Sequence, residues 1–134
     1  MEMFELYKVT ILIIGLTALI LIVQLLIVDL IAIKAKHTPG FPVEPNHESN
    51  LFRAVRAQSN TNESIPIFIL LVIFAILSSA NPEWINNFSM AYFVGRVGHM
   101  TFYYLGIGLA RSVAFGVSLI ALIGMLVTSF LVWI

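Results

Sequence analysis

"FRAVRAQSNTNESIP", residues 52–66, runs directly into "IFILLVIFAILSSA", residues 67–80. The second stretch is apolar enough to enter a bilayer, yet the first sets two arginines, two asparagines, a glutamine and a glutamate at its mouth. Read as helix, the spacing has a meaning. Arg56, Asn60 and Glu63 stand at i, i+4 and i+7, so they line one stripe, and Arg53 adds the preceding turn of that face. Pro66, just beyond, cannot donate to the carbonyl of Asn62, and a kink is expected beside the polar patch. A charged group inside a membrane segment costs about 2.5–3.5 kcal/mol near the centre and less toward the interface, so such groups are retained for a partner or for a site.

The rest of the chain supplies the membrane. Of 134 residues, 60% are hydrophobic and 10% charged. The mean hydropathy is +0.99, too apolar for an ordinary soluble domain. Its length suits a single domain, taken as residues 1–134. Seven basic and seven acidic residues cancel, which leaves no basic face for nucleic acid. There is no cysteine, which excludes disulfides, thiolate metal sites and a protein thiol nucleophile together. Any sulfur chemistry has to arrive with a substrate. His37 and His47 lie ten residues apart in a loop, and no metal-binding pattern stands out.

Four long apolar segments are expected to be helices, over about 4–33, 51–79, 84–105 and 110–134. The first holds twenty uncharged residues, 9–28, longer than a signal-peptide core, with no small-residue cleavage site behind it. "KAKHTPGFPVEPNHESN", residues 34–50, has three prolines and a glycine and reads as a loop. This order describes an all-α, up-down four-helix membrane bundle. Lys34, Lys36, Arg53, Arg56 and Arg111 flank the first and third loops, whereas Lys8 stands alone on the other side. Those two loops are therefore expected in the cytoplasm and both termini outside.

A second stripe lies in the third helix. Arg96, His99 and Tyr103 stand at i, i+3 and i+7 in the half nearer the third loop. Arg96 is about ten residues from the helix end, too deep to anchor at headgroups. Ala91, Gly95 and Gly98 offer small contact positions through which another helix can approach. Arg111 opens the fourth helix, where its side chain and the free N–H groups of the helix start both favour an anion. Structural readings stand beside these: Arg53 and Arg56 as interfacial anchors, Glu63 in an ion pair with Arg56, His99 as a packing histidine, Tyr103 as an interfacial aromatic, and Asp29 either paired with an arginine of the neighbouring helix or interfacial.

Together, "FRAVRAQSNTNESIPIF" and "GRVGHMTFYYLGIGLARSV" resemble the MAPEG family, the membrane-associated proteins of eicosanoid and glutathione metabolism. The likeness is specific at Arg56, Ala57, Gln58, Asn60, Glu63 and Pro66, which stand at the family's spacing. It implies a homotrimer that binds glutathione as co-substrate between neighbouring subunits at the cytoplasmic end. It also implies glutathione contacts at Arg56, Asn60 and Glu63, with Arg53 on the same face, Gln58 reaching from the adjacent subunit, and His99 with Tyr103 or Tyr104 on the third helix. Arg111 matches the arginine regarded as the thiol activator. Three departures stand out: Ser64 replaces a tyrosine of some members, no arginine ends the first helix, where only Lys34 and Lys36 stand, and the interval from Tyr103 to Arg111 is irregular.

The residue chemistry agrees. Glutathione carries two carboxylates and an amine, which calls for cations and at least one carboxylate, and Arg53, Arg56 and Glu63 supply them. The expected activity is that of a membrane-bound glutathione transferase, conjugating lipophilic electrophiles or reducing lipid hydroperoxides, in a bacterial inner membrane or an endoplasmic reticulum. Two other classes fit the composition: a non-catalytic lipid-binding scaffold of the same fold, and a small proton-coupled exporter using Glu63 as its shuttle.

Overall fold

The computed structural model describes residues 2–134. Among them every regular element is helical: α1 Glu2–Leu6, α2 Lys8–Lys34, α3 Asn50–Leu77, α4 Pro82–Leu105 and α5 Gly108–Phe130, closed by a 3-10 turn at Leu131–Trp133. The boundaries follow local chemistry. The Ser49 hydroxyl accepts from the Phe52 amide at 3.3 Å and caps α3. Asn81 caps α4 in the same way, with Pro82 in the first turn, where its missing N–H costs nothing. Gly106 ends α4 in the left-handed region, at φ 73°, and the Gly106 and Ile107 amides close back onto the Tyr103 and Phe102 carbonyls.

The expected first helix is interrupted at Tyr7. That residue has φ −109° and ψ 19° and is buried, and its hydroxyl donates to the Ala80 carbonyl in the α3–α4 turn. A tertiary contact thus sets a break that periodicity does not announce. α3 stays helical through Pro66 and ends at Leu77, two residues earlier than expected. α5 begins at Gly108, two residues earlier than expected.

Consecutive long helices alternate in direction. Gln24 of α2 meets Thr61 of α3, Ser64 of α3 meets Tyr92 of α4, and Gly95 and Gly124 face Ser118 and Phe88 across α4 and α5. The α4–α5 approach is closest at Gly95. A Cβ there would overlap the Ser118 hydroxyl and stand 2.9 Å from the Ala114 carbonyl oxygen, so only glycine fits. A Cβ on Gly98 would lie 3.3 Å from the Ala114 methyl. The core gathers Ile13, Phe68, Val72, Ile85, Tyr92 and Met125, with the Phe68 and Tyr92 rings stacked at 4.3 Å.

Outside the core, α2 and α5 expose leucines, isoleucines and valines along their length, among them Leu12, Leu26, Leu30, Ile120 and Val127. That surface matches a bilayer rather than water. Three stretches are long and apolar enough to cross one: α2, α3 and Gly108–Trp133. α4 is the exception to the four apolar segments expected. Its polar residues Ser89, Arg96 and His99 are buried among the other helices.

Candidate functional site

α3, α4 and α5 meet around one buried guanidinium. Arg96 is 1% exposed, Nε donating to the Ser118 hydroxyl at 3.0 Å and a terminal nitrogen to Asn60 Oδ1 at 2.8 Å. Its Cζ lies 5.5 Å from the Phe115 ring centroid. Ser118 sits where glycine at position 95 permits close approach, and Ser64 reaches the Tyr92 hydroxyl at 2.8 Å. No carboxylate pairs with Arg96. Among the described residues the one ion pair joins Lys8 and Glu5 at 3.4 Å. A cavity of about 210 Å³ opens beside the guanidinium, lined by Asn60, Glu63, Ser64, Phe115 and Ser118 among others.

A cleft of about 230 Å³ continues toward the start of α5, lined by Asn60, His99, Tyr103, Arg111, Ser112 and Phe115. Asn60 and Phe115 line both cavities, which therefore adjoin at these two side chains. The Arg111 guanidinium lies over the Tyr103 ring, 4.4 Å from its centroid. The His99 ring meets Tyr103 edge-on at 5.2 Å. His99 is 4% exposed and its Nδ1 is buried with no hydrogen-bond partner. A buried, unpaired ring nitrogen normally finds a partner, from a ligand or a water if not from protein.

The residues expected from sequence therefore divide. Asn60, His99, Tyr103 and Arg111 are brought together, and Glu63 lines the adjoining cavity. Glu63 is exposed and makes no ion pair with Arg56, contrary to that structural reading. Arg56 and Gln58 are half-buried on α3. Gln58 stands two positions from Asn60, about 200° around the helix and off the stripe. Of the two tyrosines, Tyr103 lines the cleft, whereas the Tyr104 hydroxyl is buried without a partner and outside it. Arg53 turns to the preceding loop, donating to the His47 carbonyl at 2.9 Å and to Asn50 Oδ1 at 2.5 Å. Lys34, Lys36 and Asp29 are exposed, and Asp29 has no ion-pair partner among the described residues.

Sequence reasoning missed Ser118, Tyr92 and Phe115, which look like ordinary residues of apolar helices. It also passed over Gln24. That side chain is fully buried and donates to Thr61 at 3.1 Å. A lone amide in a twenty-residue uncharged run was the available signal.

These features define a helical membrane protein with a cleft lined by an arginine, a histidine and two aromatic rings. The MAPEG family profile matches residues 10–131, nearly the whole length, and the chain belongs to that family. This is a membrane family that includes glutathione transferases and synthases. A comparison with curated proteins finds no match.

Proposed function

We propose that the protein is a membrane-bound glutathione transferase whose Arg111 holds glutathione as its thiolate. The observation that carries this reading is the cleft in which Arg111 covers Tyr103 beside the unpartnered His99. A free thiol has a pKa of about 8.5, so only a few per cent is ionised at pH 7. Lowering it by about 2 units takes ~2.7 kcal/mol of preferential stabilisation of the anion, within reach of a guanidinium at a low-dielectric helix start. Arg111 stabilises the anion but cannot serve as base at neutral pH, so the thiol proton passes to water.

The thiolate sulfur then forms a bond to an electrophilic carbon while the leaving group departs with its electron pair. With a lipid hydroperoxide it attacks the outer oxygen and releases the alkoxide, which is protonated to the alcohol. That leaves glutathione as its sulfenic acid, which a second glutathione converts to the disulfide and water. In this reading four antiparallel helices form an up-down bundle that assembles as a homotrimer. The side of α3 that carries Arg56 and Glu63 completes the glutathione site against a neighbour, whose own Gln58 reaches in from the adjacent subunit. The site faces the cytoplasm, in accord with Lys34, Lys36, Arg53, Arg56 and Arg111 at that end.

The test is a conjugation assay on the detergent-purified protein with 1-chloro-2,4-dinitrobenzene, and in parallel with cumene hydroperoxide. Enzyme-dependent thioether formation, or oxidised glutathione appearing with the alcohol, is expected. The absence of both, with glutathione failing to bind, overturns the reading.

A further inference from the structure

Arg53 lies on the same helix face as Arg56, yet its guanidinium points away from the cleft. It donates to the His47 carbonyl and to Asn50 Oδ1, tying the end of the loop between α2 and α3 to the first turn of α3. It also passes beneath the end of α4: a Cβ on Gly106, the left-handed residue that stops that helix, would stand 3.3 Å from a terminal nitrogen of Arg53. One side chain thus joins the loop, α3 and α4.

The segment it holds reaches the site. The His47 ring lies nearly parallel to Tyr103, 20° between planes and 6.2 Å between centroids, and meets the Phe52 ring edge-on at 5.0 Å. Tyr103 is the residue over which Arg111 sits. Local turns fold the end of the loop, with the Glu48 amide donating to Asn46 Oδ1 and the Phe52 amide to the Ser49 hydroxyl, but His47 is exposed and Arg53 supplies the charged tie to its backbone. Ordering such a segment costs backbone entropy at every residue, which the charge-assisted bonds of Arg53 help to offset.

We propose that Arg53 and His47 are positioning residues: Arg53 fastens the 47–50 strap so that the His47 ring backs Tyr103 and thereby fixes the seat of Arg111. Arg53 then acts on the reaction without touching glutathione. The kinetic half of this proposal rests on the glutathione reading above, and the structural half does not.

The chain has three histidines, His37, His47 and His99, so the imidazole resonances of the histidine-labelled full-length protein in detergent are few and can be assigned by single substitution. In the ligand-free protein the His47 ring signals are expected upfield of free imidazole, and Arg53→Gln is expected to return them to the free position. Arg53→Gln and His47→Ala are each expected to lower kcat about tenfold with KM nearly unchanged, as for a misplaced reacting group. The double variant is expected to lose no more than either alone. Because His47 is exposed, His47→Ala tests the strap even if Arg53→Gln folds poorly.

His47 signals that do not move in Arg53→Gln overturn the proposal. So does a His47→Ala variant with wild-type kinetics beside an Arg53→Gln variant in which KM alone rises, since that pattern makes Arg53 a ligand contact. If the wild type shows no glutathione chemistry, the resonance shift still decides whether the strap exists.

Discussion

Where α2 begins, Asn86 of α4 accepts from both the amide and the hydroxyl of Thr10, at 3.0 and 2.8 Å, and donates to the Leu6 carbonyl at 2.9 Å. Ser89 closes on the Thr10 hydroxyl at 3.1 Å, and Tyr7 on the Ala80 carbonyl. At the opposite end of the same helices, Arg111 has an aromatic face for its partner, and among the described residues Arg96 meets no carboxylate and His99 Nδ1 no hydrogen-bond partner. Both regions are polar islands in an apolar chain. The first is closed upon itself and holds helices together. The second is left open, and a buried polar group left open costs stability unless something else binds it. The closed region reads as structural, and the open one is where the proposed glutathione site lies.

Breaking the open end is expected to have the largest effect. Arg111→Ala should reduce the conjugation rate by about 10²–10³, the range for removing one main stabiliser of a reacting anion. Its thermal midpoint should change little, because the contact Arg111 makes with another helix is the single cation–π contact with Tyr103, worth about 0.5–1 kcal/mol at a part-exposed site. Breaking the closed end should do the reverse. Asn86→Ala removes three hydrogen bonds and should cost about 2 kcal/mol of stability, read as a lower thermal midpoint in detergent, while turnover per folded molecule is unchanged. Equal loss of activity in both variants would erase the distinction.

Smaller effects sharpen it. Gln24→Leu removes a buried amide whose oxygen has no partner, at the cost of its bond to Thr61. The net change should stay within about 1 kcal/mol, with activity intact. Tyr104→Phe should be silent in both rate and stability, since the hydroxyl it deletes is unpaired. A loss of glutathione affinity in Tyr104→Phe, against none in Tyr103→Phe, would exchange the two tyrosines.

Much of the open end was legible in sequence because its residues break an apolar background at helical spacing. The 56–60–63 and 96–99–103 stripes needed no coordinates, and the small residues at 95 and 98 announced the close approach of another helix, which the structure shows to be α5. Less legible was which stripe residues turn inward. Arg53 shares a face with Arg56 but follows the loop, and that depends on where residues 47–50 fold. The break at Tyr7 and the role of Ser118 were invisible for the same reason: each is fixed by a residue more than twenty positions away. The resemblance offered Arg111 as the proposed thiol activator, and in the structure its guanidinium lies over the Tyr103 ring.

The most direct test of Arg111 as the thiolate-holding group is an ultraviolet difference titration of glutathione against the purified protein near neutral pH, for the wild type and Arg111→Ala. A thiolate absorbance that appears with the wild type and vanishes in the variant, with glutathione still bound, is the predicted result. Thiolate of equal intensity in both proteins would contradict the role given to Arg111, and no binding to the wild type would contradict the glutathione reading itself.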